Sequence, residues 1–145
     1  MTSLRIERIL PAPPERVFRA LTDPDALAAW FWPADLGTTV TADARPGGRF
    51  RIAAAPGGRF GAMAVEGSYT VVEPPHRLAF TWRWEGDDFE TLVTIELTAT
   101  GQGTALTLVH DGFATDTLRD NHAIGWSDCL GRLPAWFSAT APAEP

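Results

Sequence analysis

The spacing of hydrophobic positions changes along this chain, and the changes mark out its elements. Leu4 and Ile6, with Arg8–Leu10, alternate with polar residues as in a strand with one buried face. Pro11, Pro13 and Pro14 end it, and Pro13 and Pro14 suit the first turn of a helix, where a missing N–H costs little. Val17, Phe18 and Leu21 then form a short helical stripe. Asp23-Pro24 interrupts it and predicts a second helix with Asp23 as its cap, presenting Leu27, Trp30 and Phe31 before Pro33. A strand is expected within Gly37–Asp43, with Val40 as its core residue.

The pentapeptide Pro-Gly-Gly-Arg-Phe occurs at 46–50 and again at 56–60. Its turn chemistry on either side of Arg51–Ala55 predicts successive hairpins rather than a solenoid. Arg49 and Arg51 alternate with Phe50 and Ile52 and are expected outside. Met63–Val72 alternates next, with Val65, Tyr69 and Val71 on one face and Gly67 as a candidate bulge; Glu66 is expected in solvent. Three clearer strands follow. Leu78, Phe80, Trp82 and Trp84 share a face, as do Val93, Ile95 and Leu97, and then Leu106, Leu108 and His110.

From Thr115 the period becomes that of a helix. Leu118, His122, Gly125, Trp126, Cys129, Leu130, Leu133 and Phe137 recur at steps of three and four. Pro134 falls inside this stripe, at a cost of about 3 kcal/mol, so the helix is expected to kink or to end its regular part near Leu133. One strand, two short helices, about six strands and a long helix make an α+β domain spanning residues 1–145. The strands joined by short loops must be antiparallel, and the last helix is the one long element able to cover a face. Trp126 is expected to point into the sheet, near Trp82 or Trp84 and Leu108.

Charge narrows the partners. The chain has 12 basic residues, all arginine, against 18 acidic ones, for a net charge of −6. That balance disfavours nucleic acid and anionic membrane surfaces. No apolar run approaches the ~20 residues of a membrane span, and Met1–Leu10 lacks a signal peptide's continuous apolar stretch. A cytoplasmic protein is expected. Cys129 is the single cysteine, so no intrachain disulfide can form, and its place on the stripe marks it as a small core residue.

The candidate chemistry is sparse. His76, His110 and His122 show no metal-ligand spacing, and neither a metal nor a cofactor is expected. No nucleophile elbow, phosphate loop or dinucleotide fingerprint occurs. His110 reads either as a ligand or acid/base group or as a core histidine bonded to a backbone group, the second being favoured. His122, four residues before Trp126, could meet it. Gly125 on the buried face implies either close approach of the sheet or room for a ligand.

Several phrases, taken together, carry a resemblance: Val17–Pro24, Trp30-Phe31, Pro46–Phe50, Gly67–Tyr69, Pro74–Trp82, Leu106–His110 with Gly112-Phe113, and His122 with Gly125-Trp126. Over Leu4 to Phe137 the chain resembles the SRPBCC (START-like) superfamily, and within it bacterial proteins similar to the C-terminal domain of the heat-shock protein 90 ATPase activator. The resemblance implies a helix-grip fold, a curved antiparallel sheet of about six or seven strands around the last helix with a hydrophobic cavity between. It does not imply one activity. The activator carries a further domain that engages the chaperone, and nothing here supplies it, so co-chaperone work is not expected.

The function expected is binding of a hydrophobic or aromatic small molecule. The cavity lining expected comprises Trp30, Phe50, Met63, Val65, Phe80, Trp82, Trp84, Leu108, His110, Phe113, His122, Trp126 and Leu130, with no catalytic residue assigned. One alternative is a cyclase, dehydratase or hydrolase using His110 or His122 in the same cavity, with Asp111 as a candidate partner. Another is a chaperone-associated or homodimeric module anchored by an exposed Trp32 and by Phe60. The chain is expected to be a monomer or a homodimer.

Overall fold

In the computed structural model, which describes residues 2–58 and 61–140, seven strands form one curved antiparallel sheet. They are β1 (Thr2–Leu10), β2 (Thr39–Ala42), β3 (Arg49–Ala54), β4 (Met63–Glu73), β5 (Arg77–Trp84), β6 (Thr91–Thr100) and β7 (Gly103–Phe113). The order is β1-β7-β6-β5-β4-β3-β2. From β2 to β7 each strand lies beside its sequence neighbour, as short loops require, and β1 pairs with β7. Both Pro-Gly-Gly repeats fall in hairpin loops, the first between β2 and β3 and the second between β3 and β4. Arg59, Phe60 and the tail from Ala141 lie outside the described residues.

Helices α1 (Pro14–Thr22) and α2 (Pro24–Trp30) follow β1. Asp23 separates them and caps α2, its carboxylate accepting from Ala26 N at 2.9 Å. Helix α3 (Asp116–Ala139) opens at Thr115, whose hydroxyl accepts from Leu118 N at 3.1 Å. It does not end near Leu133. It runs through Pro134, which is exposed, so the ring lies on the outer side of the helix. One core joins Val17, Phe18 and Leu21 of α1, Leu27 and Trp30 of α2, the inner faces of the strands, and Trp126, Leu130, Leu133 and Phe137 of α3.

Three local expectations are corrected. The irregularity in β4 lies between Tyr69 and Val71, not at Gly67, and it turns Val72 rather than Val71 toward the core. Gly67 instead allows close approach, since a Cβ there would overlap the Thr81 carbonyl and crowd the Phe50 ring at 2.7 Å. Gly125 and Leu118 are exposed, so only the C-terminal part of the α3 stripe is buried. Glu66 is half-buried and pairs with Arg83 across β4 and β5.

Candidate functional site

The chemistry-bearing residues meet where β5, the end of β7 and the first half of α3 converge. Alternation along β5 turns Trp82 and Trp84 to the same face, and β7 brings His110 beside Trp82 with ring centroids 5.6 Å apart. Helical spacing places His122 and Trp126 above them, and the two imidazoles lie 5.3 Å apart. Trp126 packs against Trp82 at 5.1 Å and against the edge of Phe31 at 5.7 Å. Phe113 touches both histidines, at 4.4 and 4.8 Å.

Each histidine is paired with an indole. Trp126 Nε1 donates to His110 Nδ1 at 3.0 Å, and Trp84 Nε1 donates to His122 Nε2 at 2.9 Å. Indole nitrogen only donates, so each accepting imidazole nitrogen carries no proton. The remaining nitrogens are engaged as well. His110 Nε2 lies 2.6 Å from Thr91 Oγ1, whose hydroxyl donates to Trp82 O at 3.1 Å, so the imidazole N–H donates to the hydroxyl oxygen. His122 Nδ1 donates to Leu118 O at 2.8 Å. Both rings are thereby held as single neutral tautomers. His110 is fully buried; burial first, and His122 second, depress its pKa to about 3. It is a core histidine, as favoured from the sequence, but its partners are side chains rather than backbone groups.

The space lies to one side. Between sheet and helix, the void bounded by Phe50, Phe80, Trp82 and Trp126 is about 30 Å³, room for one water. A groove of about 510 Å³ opens between α3, the β4–β5 edge and the segment Phe31–Leu36. Met63, Trp82, Trp84, His122 and Trp126 border it. Phe113 borders a recess of about 50 Å³ beside the β5–β6 loop. Trp30, Val65, Leu108, His110 and Leu130 are packed in the core and border none of these hollows. Trp30 Nε1 donates to Ala20 O at 2.9 Å, facing away from the groove.

Other groove residues stand outside the expected lining. Trp32 is half-buried and lies parallel to Trp84 at 6.2 Å and 5°, so it is part of the wall and not an exposed anchor. Gly125 forms part of the floor, and a Cβ built there meets nothing within 4 Å; of its two readings, room fits and close approach does not. Cys129 lines the floor with a thiol that burial pushes up to about 12. Arg132 closes the far end. The signal for the last two was present, because Leu118, His122, Gly125, Cys129 and Arg132 step by four and three along one helical line. Trp82 Nε1 is buried without a hydrogen-bond partner. Among the described residues no three of His, Cys, Asp or Glu converge as metal ligands, and no helix is long and apolar enough to cross a membrane.

Known proteins share the fold. The family described as Activator of Hsp90 ATPase homolog 1-like protein matches residues 11–138. The crystal structure of protein CV1439 from Chromobacterium violaceum is 33% identical, with a TM-score of 0.80 over 92% of this chain and 95% of that one. A Rhodobacter sphaeroides protein is 31% identical, with a TM-score of 0.78 over 96% and 93%. The AHSA1-like protein of Aeromonas hydrophila is 25% identical, with a TM-score of 0.81 over 99% of each chain. No protein of curated function matches the chain.

Proposed function

Because the chain belongs to the family of Activator of Hsp90 ATPase homolog 1-like proteins, whose fold is of a ligand-binding type, we propose that it is a single-domain small-molecule binding protein. Its ligand is apolar and occupies the lateral groove along α3. The observation that carries this reading is the contrast in filling. The interior leaves about 30 Å³, whereas the groove leaves about 510 Å³ within walls that include Phe31, Trp32, Trp82, Trp84 and Trp126. That volume falls in the range of about 300–1,000 Å³ typical of ligand sites. Aromatic surface left uncovered at a concave site gains free energy when an apolar body displaces its water.

Binding is favoured over acid/base catalysis because all four imidazole nitrogens of His110 and His122 are engaged. An interaction module loses Trp32 as its anchor, since that ring stacks on Trp84. Titration with decan-1-ol, followed by the indole N–H signals in NMR spectra, tests the reading. The signals of Trp84 and Trp126 are expected to move and that of Trp30 to stay. Uniform small shifts, or none, would overturn it. Native mass spectrometry after bacterial expression is expected to show an apolar molecule retained by the folded protein.

A further inference from the structure

The unmet hydrogen-bonding capacity in the groove wall is of one kind. Arg132 Nε and Nη2 donate to the carbonyls of Trp30 and Phe31 at 3.0 and 2.6 Å, which fixes the guanidinium against the end of α2. Its Nη2 also lies 3.6 Å from Cys129 Sγ. Among the described residues Nη1 donates to nothing and no carboxylate forms an ion pair with Arg132. Trp82 Nε1, in the wall shared by the groove and the inner void, is a second donor without an acceptor. Neither side chain can accept a hydrogen bond. The acidic and amide groups at the groove, Asp128 and Asn121, are exposed at its rim and met by water.

The groove is also long. At about 1.5 Å of rise per residue, His122 and Arg132 stand about 15 Å apart along α3. Between them the floor is Gly125 and Cys129, small and uncharged. The indole of Trp84 marks the His122 end, where its Nε1 donates to His122 Nε2, and the Trp32 ring lies parallel to it. One end therefore presents a fixed positive charge with a donor to spare, and the other presents flat apolar surface.

We propose that the groove takes an elongated monocarboxylic acid, its carboxylate on Arg132 and its apolar body lying over Gly125 toward Trp84. This rests on the binding reading above. An amine would meet the charge of Arg132 as a like charge. A hydrocarbon would leave Nη1 unmatched and desolvated, whereas a carboxylate supplies a charge-assisted acceptor.

Decanoate, decan-1-ol and decyltrimethylammonium share one chain and differ in their heads, so their affinities at neutral pH separate the two claims. The native protein is expected to bind decanoate at least about tenfold more tightly than decan-1-ol, as one charge-assisted hydrogen bond allows, and decyltrimethylammonium least. Arg132→Gln is expected to abolish the preference for decanoate over decan-1-ol, and Arg132→Lys to restore part of it. Equal affinity for acid and alcohol in the native protein would overturn the carboxylate assignment and leave the binding reading standing. Failure of all three to bind would overturn both. Arg132 also holds the end of α2; should Arg132→Gln unfold, the native protein's preference decides, since it must weaken with added salt if charge is its cause.

Discussion

At the scale of single residues, His110 links burial to pH. A free imidazole ionises near 6.5, and burial lowers that of His110 to about 3. Below pH about 6.5 the unfolded chain takes up a proton that the folded chain refuses. Stability present above that pH is therefore lost as pH falls toward 3, with a limiting slope of about 1.4 kcal/mol per pH unit. Urea denaturation near neutrality and at about pH 5.5 is expected to show a shallower loss for His110→Gln than for the parent, although the variant starts lower. Equal slopes would mean that the proton is taken up elsewhere. Trp126 is the second test at this scale. It is 4% exposed, packs on Trp82 and Phe31, and donates to His110. Trp126→Ala is expected to cost about 3–5 kcal/mol, because it opens a cavity and leaves His110 Nδ1 without its donor. A thermal melt within a degree or two of the parent would contradict that docking.

At the scale of elements, two glycines divide by what surrounds them. Gly67 in β4 lies where a methyl group would strike the Thr81 carbonyl of the neighbouring strand. A backbone oxygen cannot swing aside as a side chain end can, so Gly67→Ala must part β4 from β5 and is expected to cost about 3 kcal/mol or the fold itself. Gly125 in α3 has open space around it. Gly125→Ala is expected to stabilise by up to about 1 kcal/mol through helix propensity alone. Chemical denaturation of both variants checks the contrast. A stabilised Gly67→Ala or a strongly destabilised Gly125→Ala would show the glycine environments to be reversed.

At the scale of the whole molecule, the sheet and α3 close on each other only along the C-terminal part of the helix. Trp126, Cys129, Leu130, Leu133 and Phe137 are buried, whereas Leu118 and Gly125 are exposed and His122 is half-buried. The groove is the uncovered remainder of one stripe. Filling it should separate binding from folding. Gly125→Leu is expected to keep the near-ultraviolet circular dichroism of the parent, with a melting temperature no lower, while losing affinity for decan-1-ol at least about tenfold, as a filled site would. Unchanged affinity would move the site elsewhere.

The strands, the three helices, the cap at Asp23, and the shared faces of β5, β6 and β7 were legible in the sequence. Each follows from periodicity or from one residue's local chemistry, and both act over a few neighbouring positions. The family resemblance added the grip of sheet and helix. What the sequence left open was which apolar side chains stay covered. Trp30 and Trp84 are the same residue type on patterned elements, yet Trp30 is 1% exposed in the core and Trp84 borders the groove. Their difference depends on contacts between distant segments: Trp30 with Ala20 and Arg132, Trp84 with Trp32 and His122. Likewise the shift after Tyr69, which exchanges Val71 for Val72, shows only in the register against β5. Local periodicity determines which face of an element is apolar. Only the packing of elements far apart in the chain decides how much of that face is sealed, and here the part left unsealed is the candidate site.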